Sequence, residues 1–364
     1  MPRPRNPVPE RDVLAVVDPV VKVLVAMSGG VDSSVAAALL LEAGHDVVGV
    51  TMRLWGGASD TGCCSVADVD DARRVAQQLG IAHHVFNFSD EFEAQVVAPY
   101  VADHAAGRTP NPCVECNRHL KFDLLLRRAE ALGFDLVATG HHARVVVDGD
   151  GHRRVARGAD AAKDQSYVLH MLDAEALARV VFPVGDWDKG AVRAEAERRG
   201  LRTADKPDSQ DVCFITSAGR AQFLGDRIPL RPARVQDTSG VVVGKAPAVE
   251  LVTIGQRKGL GLAGGAAPRY VVDVAIPDDG AEPLVTVGAR GDLLTDHLVL
   301  ADLAWSAQPV DGPVTVQCSA HGPALQAVVD GSTLRWDVPQ RRVAAGQSVV
   351  LYAGDLVLGG GTAT

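Results

Sequence analysis

The hydrophobic pattern changes character along the chain, and the changes divide it. From Val21 to about Pro183, short apolar runs alternate with segments of helical period. VKVLVAM (21–27) reads as a fully buried strand and SSVAAALLLEAG (33–44) as a helix ending at Gly44. DVVGVTM (46–52) is a second strand, and DVDDARRVAQQLG (68–80) a helix with Gly80 suited to its C-terminal cap. HHVFNF (83–88) then reads as strand, DEFEAQVVAPYVADHAAG (90–107) as helix, FDLLLRRAEALG (122–133) as helix and DLVATG (135–140) as strand. Strands alternating with helices predict a parallel sheet covered on both faces. In such sheets ligands gather at the carboxyl ends of the strands.

Beyond Trp187 the pattern shifts. KGAVRAEAERRG (189–200) is a charged amphipathic helix, and after Gly219 the chain becomes richer in Gly, Pro and short β-like runs. From about Leu284, valine-rich segments such as VTVQCSA, LQAVV, LRWDV and SVVLYAG are separated by turns, the spacing of a small antiparallel barrel or sandwich. The expected fold is therefore α/β. A loose tail at 1–20 precedes a parallel-sheet domain at 21–217, a small central domain at 218–280 and a C-terminal antiparallel β-barrel domain at 281–364.

Composition narrows the function classes. The 364 residues exceed what one hydrophobic core usually supports, and 47% hydrophobic with 22% charged residues is ordinary for a globular chain. A net charge of -9 and 4% aromatic residues count against a chain-wide nucleic-acid binder or a broad base-stacking surface. By segment, however, residues 186–269 carry +4, against -6 before and -7 after them. That middle stretch holds Lys189, Arg193, Arg198, Arg199, Arg202, Arg227, Arg231, Arg234, Arg257 and Lys258, which as a set predict a footprint for an RNA backbone. No apolar run approaches the roughly 18 residues of a membrane helix. The N-terminal residues lack an apolar signal core. Six cysteines, as a CC pair, a C-x-x-C and two singles, are too sparse for a disulfide scaffold and predict thiol or metal chemistry in a reducing cytoplasm.

The most specific local signal is Ser28-Gly29-Gly30-Val31-Asp32-Ser33-Ser34, set between a strand and a helix. Paired glycines let backbone N–H groups face a polyanion, and the following helix offers its positive end. Asp32 is unfavourable beside phosphate unless a divalent cation intervenes, which assigns it to Mg²⁺. Within this loop neither G-x-x-x-x-G-K-[ST] nor G-x-G-x-x-G occurs, so Walker and dinucleotide sites are disfavoured. Two settings hold candidate nucleophiles: Cys113 and Cys116 in TPNPCVECNRHLKF, and Cys213 in DSQDVCFI. A helix expected to start near Asn117, with Arg118, His119 and Lys121 close by, favours a thiolate at Cys116.

The glycine loop resembles that of the PP-loop ATP pyrophosphatase superfamily, whose fold is adenine nucleotide alpha hydrolase-like and whose members split ATP into AMP and pyrophosphate. NPCVECN, ATGHHAR, KDQSYVL, DSQDVCFI, TIGQRKGLG and AGQSVVLYAGDLVLGGG follow in the order seen in the tRNA-specific 2-thiouridylase family, a resemblance running from Val23 to Gly361. It implies 2-thiolation of wobble uridine 34 in tRNA (Lys, Glu and Gln acceptors). ATP adenylylates the uracil C2 oxygen, and sulfur comes from a cysteine persulfide loaded by a cysteine desulfurase or a sulfur-relay protein. Ala26, Met27, Ser28, Gly29, Gly30, Val31, Asp32, Ser33, Met52 and Gly140 match ATP positions. Cys116 matches the persulfide nucleophile and Cys213 the cysteine that resolves it through a transient Cys116–Cys213 disulfide. Asn111, Pro112 and Cys113 match the element beside the target base, and His141, Lys163, Asp164, Gln165 and Gln347 match tRNA contacts.

The chain also departs from the family. Many members have Asp at the position of Cys113, and many have an Arg-Tyr pair where this chain reads Gln317-Cys318. Cys113, Cys116 and Cys213 are an alternative ligand set for an iron–sulfur cluster. Cys63-Cys64 has no derivable role, and Cys318 reads as a buried thiol. Two other functions compete: a PP-loop amide ligase, which needs no thiol, and a non-catalytic nucleotide-binding redox module, which catalyses no ATP–pyrophosphate exchange.

Overall fold

The computed structural model describes residues 20–54, 65–208, 212–215, 219–262, 267–277 and 279–364. The tail and Cys63-Cys64 lie outside them. In chain order the first elements are β1 (Lys22–Ala26), α1 (Val31–Glu42), β2 (Asp46–Arg53), α2 (Val66–Leu79), β3 (Ala82–Asn87) and α3 (Ser89–Phe92). A π-helical turn, Glu93–Val97, leads into α4 (Ala98–Ala105). Next, α5 (Pro112–Glu115) runs into a second π-helical segment, Cys116–Leu124, and then α6 (Leu125–Ala131). β4 (Leu136–Thr139), β5 (Ala143–Val147), β6 (Arg153–Arg157), α7 (Ala174–Ala178), β7 (Val180–Val181), α8 (Lys189–Arg198) and α9 (Gly219–Gly225) follow. The remainder is β8 (Ala233–Asp237), β9 (Val242–Ala246), β10 (Tyr270–Ala275), β11 (Leu284–Gly288), β12 (Leu294–Trp305), β13 (Gly312–Gln317), β14 (Leu325–Asp330), β15 (Thr333–Arg341), β16 (Ser348–Ala353) and β17 (Leu356–Ala363).

These elements form two compact units. The first comprises residues 1–93, 116–214 and 355–357. Its sheet has the order β3-β2-β1-β4-β7, and every pairing is parallel. β1 is the central strand because KVLVA buries Val23, Leu24 and Val25 completely, as a strand covered on both faces must. Chain order reverses at β1, so the turns after β1 and β4 open at the same carboxyl edge, the switch point where such sheets bind ligands. α1 is apolar nearly all round (VDSSVAAALLLE) and is buried from Val31 to Leu40 except at Asp32. The amphipathic α2 buries only Ala72, Val75 and Ala76, and ends on Gly80 in the left-handed conformation expected of that glycine.

The second unit comprises residues 94–115, 215–354 and 358–364. Its central part is a four-stranded sheet, β10-β11-β8-β9, around Val235, Val249, Leu260, Val271, Val285 and Val287. The C-terminal part is a closed antiparallel barrel, β12-β15-β14-β13-β16-β17, with β17 returning to β12 through Leu300↔Ala363 and Trp305↔Gly359. Alternating inward residues (Val314 and Val316, Ala327 and Val329, Leu334 and Trp336, Val349 and Leu351) fill it. Closure leaves the barrel no exposed sheet edge.

Candidate nucleotide and thiol site

The loop after β1 is built from inside its own sequence. Thr51 on β2 donates its hydroxyl to the Met27 carbonyl (2.7 Å) and meets His83 Nε2 on β3 (2.9 Å), fixing the loop's root. Ser34 Oγ donates to the Gly30 carbonyl at 2.7 Å, and Ser33 Oγ to the same carbonyl at 3.3 Å while accepting from Ser28 N at 3.2 Å. The serine hydroxyls therefore brace the turn instead of facing outward. Gly29 has φ +75°, and a Cβ there would lie 2.2 Å from the Asp68 carbonyl oxygen at the start of α2. Only glycine fits.

The expected helix start near Ser33 moves to Val31, so Asp32 and Ser33 occupy the first turn of α1. That turn has Gly30 as its N-cap and no side-chain cap, whereas Ser65, Asp173 and Asp188 cap α2, α7 and α8. The first-turn amides of a helix have no partner within it, so α1 presents uncapped donors and its positive pole at the switch point. Gly140, matched to a nucleotide contact, serves the loop itself: a Cβ there would stand 2.5 Å from Ser33 N.

Asp32 is held by three hydrogen bonds from two groups elsewhere in this unit. Lys189 Nζ reaches both its oxygens at 2.8 and 2.7 Å, and His142 Nε2 reaches Oδ1 at 3.1 Å. A carboxylate only accepts, so this imidazole carries its proton on Nε2. Burial pushes the Asp32 carboxyl up, but the bonds from His142 and Lys189 outweigh it and hold the group below its ordinary value. Lys189 also bonds Asp208 Oδ1 at 3.0 Å, and Asp208 in turn receives Lys163 at 2.7 Å and Arg193 at 2.7 Å. Burial opposes ionisation of Asp208, yet Lys163 and Lys189 hold it far below the usual carboxylate range.

This network corrects the reading of the basic helix. Of the cations in α8 and its C-terminal turn, Lys189 is 12% exposed and turned inward. Arg193 bonds the Ala204 and Lys206 carbonyls, Arg198 and Arg199 share the buried Glu195, and Arg202 faces Asp71. They are paired within the unit because a helix tied to a sheet by carboxylates spends its charges there. Arg234, Arg257 and Lys258, in the second unit, are exposed.

The two histidines after β4 divide differently from expectation. Successive side chains of an extended segment point to opposite sides. His142 takes the loop, while His141 lies buried between Phe122 and Phe182 with Nδ1 2.6 Å from Thr139 Oγ1. Burial holds His141 neutral, its pKa well below the ordinary value. Asp164 is likewise internal, accepting from Arg157, Gly158 N, Ser166 N and Ser166 Oγ. Gln165 is exposed and accepts the His142 amide through Oε1 at 2.9 Å. Met52 is buried at the end of β2, in register with Phe86.

The thiols need a second correction. Helix starts at Pro112, not near Asn117, so Cys113 lies in the first turn and Cys116 a turn further on, where the π-helical segment begins. Asn111 Oδ1 accepts the Cys113 amide (3.2 Å), capping that start. π-Helical turns are rare and cluster at functional sites. Asn117, buried, ties the π-helical segment to the next loop through Nδ2 and the Val168 carbonyl (3.2 Å). Cys116 and Cys213, both in the first unit, are partly exposed thiols. Val212, just before Cys213, has φ +53°, which β-branched residues avoid, so the backbone is strained next to a sulfur. In the second unit Gln347 donates its side-chain amide to the Thr109 carbonyl, two residues before Asn111. Among the described residues, one trio of His, Cys, Asp or Glu gathers donor atoms within 4.8 Å: Asp148, Asp150 and His152, whose Asp148 is already bound by Arg154.

A doubly wound parallel sheet, with an uncapped helix behind a glycine loop at its switch point, defines a nucleotide-binding α/β protein of the PP-loop class. Residues 21–217 match the family model described as tRNA methyl transferase HUP domain, 221–279 the tRNA methyl transferase PRC-barrel domain and 295–363 the aminomethyltransferase beta-barrel domain. The tRNA-specific 2-thiouridylase MnmA of Rhodococcus jostii is 49% identical over 94% of this chain and 97% of its own length. That of Mycobacteroides abscessus is 48% identical (94% and 99%), and that of a Roseiflexus species 44% (93% and 98%). The chain belongs to the tRNA-specific 2-thiouridylase family.

Proposed function

We propose that this chain is an ATP-dependent tRNA-uridine 2-sulfurtransferase. The observation that carries the reading is the placement of Cys116 and Cys213 in the same compact unit as the uncapped loop. A nucleotide site activates oxygen as a leaving group, and a thiol pair delivers sulfur. ATP transfers AMP to the C2 oxygen of uridine 34, releasing pyrophosphate. The Cys213 thiolate attacks the Cys116 persulfide and forms the Cys116–Cys213 disulfide, so the outer sulfur leaves as sulfide. Sulfide adds at C2, AMP departs and 2-thiouridine remains. A thiol reductant reopens the disulfide, and a cysteine desulfurase or relay protein reloads Cys116. The family models carry a methyl transferase description; the thiol pair and the polyanion loop support thiolation instead.

Asp32 suits Mg²⁺: one carboxylate near phosphates is the usual protein share of such a site, and the ion would neutralise charge on the polyphosphate. Asn111, Pro112 and Cys113 line the target base, with Cys113 replacing an acid–base Asp by a group that titrates higher. The tRNAs are those for Lys, Glu and Gln, and the compartment is the cytoplasm. Among the described residues no helix is long and apolar enough to cross a membrane. Nucleoside mass spectrometry of tRNA incubated with ATP and a persulfide donor tests the reading. Cys116→Ser should abolish 2-thiouridine and leave ATP binding intact; undiminished thiolation by that variant removes the nucleophile and the mechanism with it.

A further inference from the structure

The loop Ser28–Ser34 contains an acid and no base. A triphosphate arriving over it meets the Asp32 carboxylate and needs cationic partners beyond the amides of α1. Lys189 is in contact with that carboxylate, bonded to both its oxygens, and is brought there from 157 residues away in sequence. Its position is costly on local grounds. It is the first residue of α8, where the helix dipole disfavours a cation, and its side chain is 12% exposed. The fold nevertheless pins that start: Asp160 Oδ2 accepts the Lys189 amide at 3.0 Å, and Asp188 caps α8 through Ala191 N at 2.7 Å. Asp208 then takes the ammonium's remaining hydrogen at 3.0 Å and is itself anchored by Lys163 and Arg193.

We propose that Lys189 is a ligand for the nucleotide polyphosphate and that Asp208 is its positioning residue. The inference rests on the nucleotide site proposed above and adds a cation that the loop sequence does not contain. The groups facing Lys189 and its carboxylates are Asp32, Asp208, Asp160, Lys163, Arg193 and His142. The three acids match Lys163, Lys189 and Arg193 in number, so each of these cations already has a carboxylate partner. A polyphosphate that arrives with its divalent cation supplies Asp32 with a new counter-ion and frees the ammonium's donors for phosphate oxygens. Lys163 and Arg193 meet Asp208 and do not touch Asp32 in this arrangement, which makes Lys189 the member that changes partners.

Equilibrium binding of a non-cleavable ATP analogue with Mg²⁺ and of AMP, by calorimetry on the full chain, separates the alternatives. Lys189→Met should weaken the ATP analogue at least tenfold and AMP less than threefold, because only the polyphosphate loses a partner. Lys189→Arg should recover most of that loss. Asp208→Asn should give an intermediate weakening that falls on the ATP analogue and spares AMP. Equal weakening of both ligands, or none, overturns the proposal. Should Lys189→Met fail to fold, Asp32→Asn/Lys189→Met is compared with Asp32→Asn. The same tenfold loss is expected in that background, and equal affinities refute the assignment. If the unaltered chain binds neither ligand, the nucleotide reading fails first, a result separate from any effect at Lys189.

Discussion

Single residues decide whether the loop exists at all. Gly29→Ala places a methyl group 2.2 Å from the Asp68 carbonyl at a φ of +75°, so either the turn or the start of α2 must move. Strain of this kind costs about 1–3 kcal/mol. Denaturant titration should show a loss of that order, and calorimetry should show ATP binding lost; an alanine variant with unchanged binding would mean that the loop tolerates the shift. The thiols differ just as sharply. Burial pushes Cys318 up to about 12, so it carries almost no thiolate at pH 8. Peptide mapping after brief iodoacetamide treatment at that pH should find Cys318 modified far more slowly than after urea is added. Labelling at equal rates in the folded and unfolded chain would contradict the raised thiol pKa. The sequence read Cys318 as a buried thiol; it is half-buried, packed against the barrel core. The sequence could not say which of His141 and His142 faces the loop, because direction depends on how the chain leaves β4.

At the scale of elements, the alternation of strand and helix made the parallel sheet, its loop and the terminal barrel legible, since each is a matter of period and turn chemistry. Partnerships between distant elements were not. Nothing near Lys189 in the sequence marks it as the partner of Asp32, and the charged face of α8 reads as open to solvent until Glu195, Asp71 and Asp208 are in place. The start of the cysteine helix was missed because Pro112 looked like an interruption, when proline suits the first position of a helix. Two outcomes follow. Arg199→Ala should destabilise the first unit by about 1–3 kcal/mol, since it strips a bond from Glu195, which is 8% exposed. In a filter-binding series against salt, Arg257→Ala and Lys258→Ala should each weaken tRNA binding and lower the salt slope by about 1, while Arg198→Ala leaves both unchanged. A reversed pattern would return the RNA footprint to α8.

For the molecule as a whole, pH reports how histidine is used. Burial is the main cause that lowers His83, His104 and His170 to about 4, and it also lowers His141 well below its ordinary value. Their folded values lie below the unfolded value of about 6.5, so the unfolded chain binds protons that the folded chain refuses. Stability is therefore full above about pH 6.5 and falls as pH drops towards 4, whereas the depressed carboxyls of Asp32 and Asp208 surrender theirs only at lower pH. Thermal melts between pH 8 and 5 should show Tm decline steadily below 6.5; a flat profile would contradict buried neutral imidazoles. The strand order adds a matter of time. β1 pairs with β4, and its first residue bonds Asp135, 113 positions later. A ribosome adding about 5–20 residues per second needs on the order of ten seconds to make that partner. Through that interval the central strand of the sheet, with Val23, Leu24 and Val25 destined for full burial, emerges without one neighbour, which makes it the natural stretch for a nascent-chain chaperone to cover.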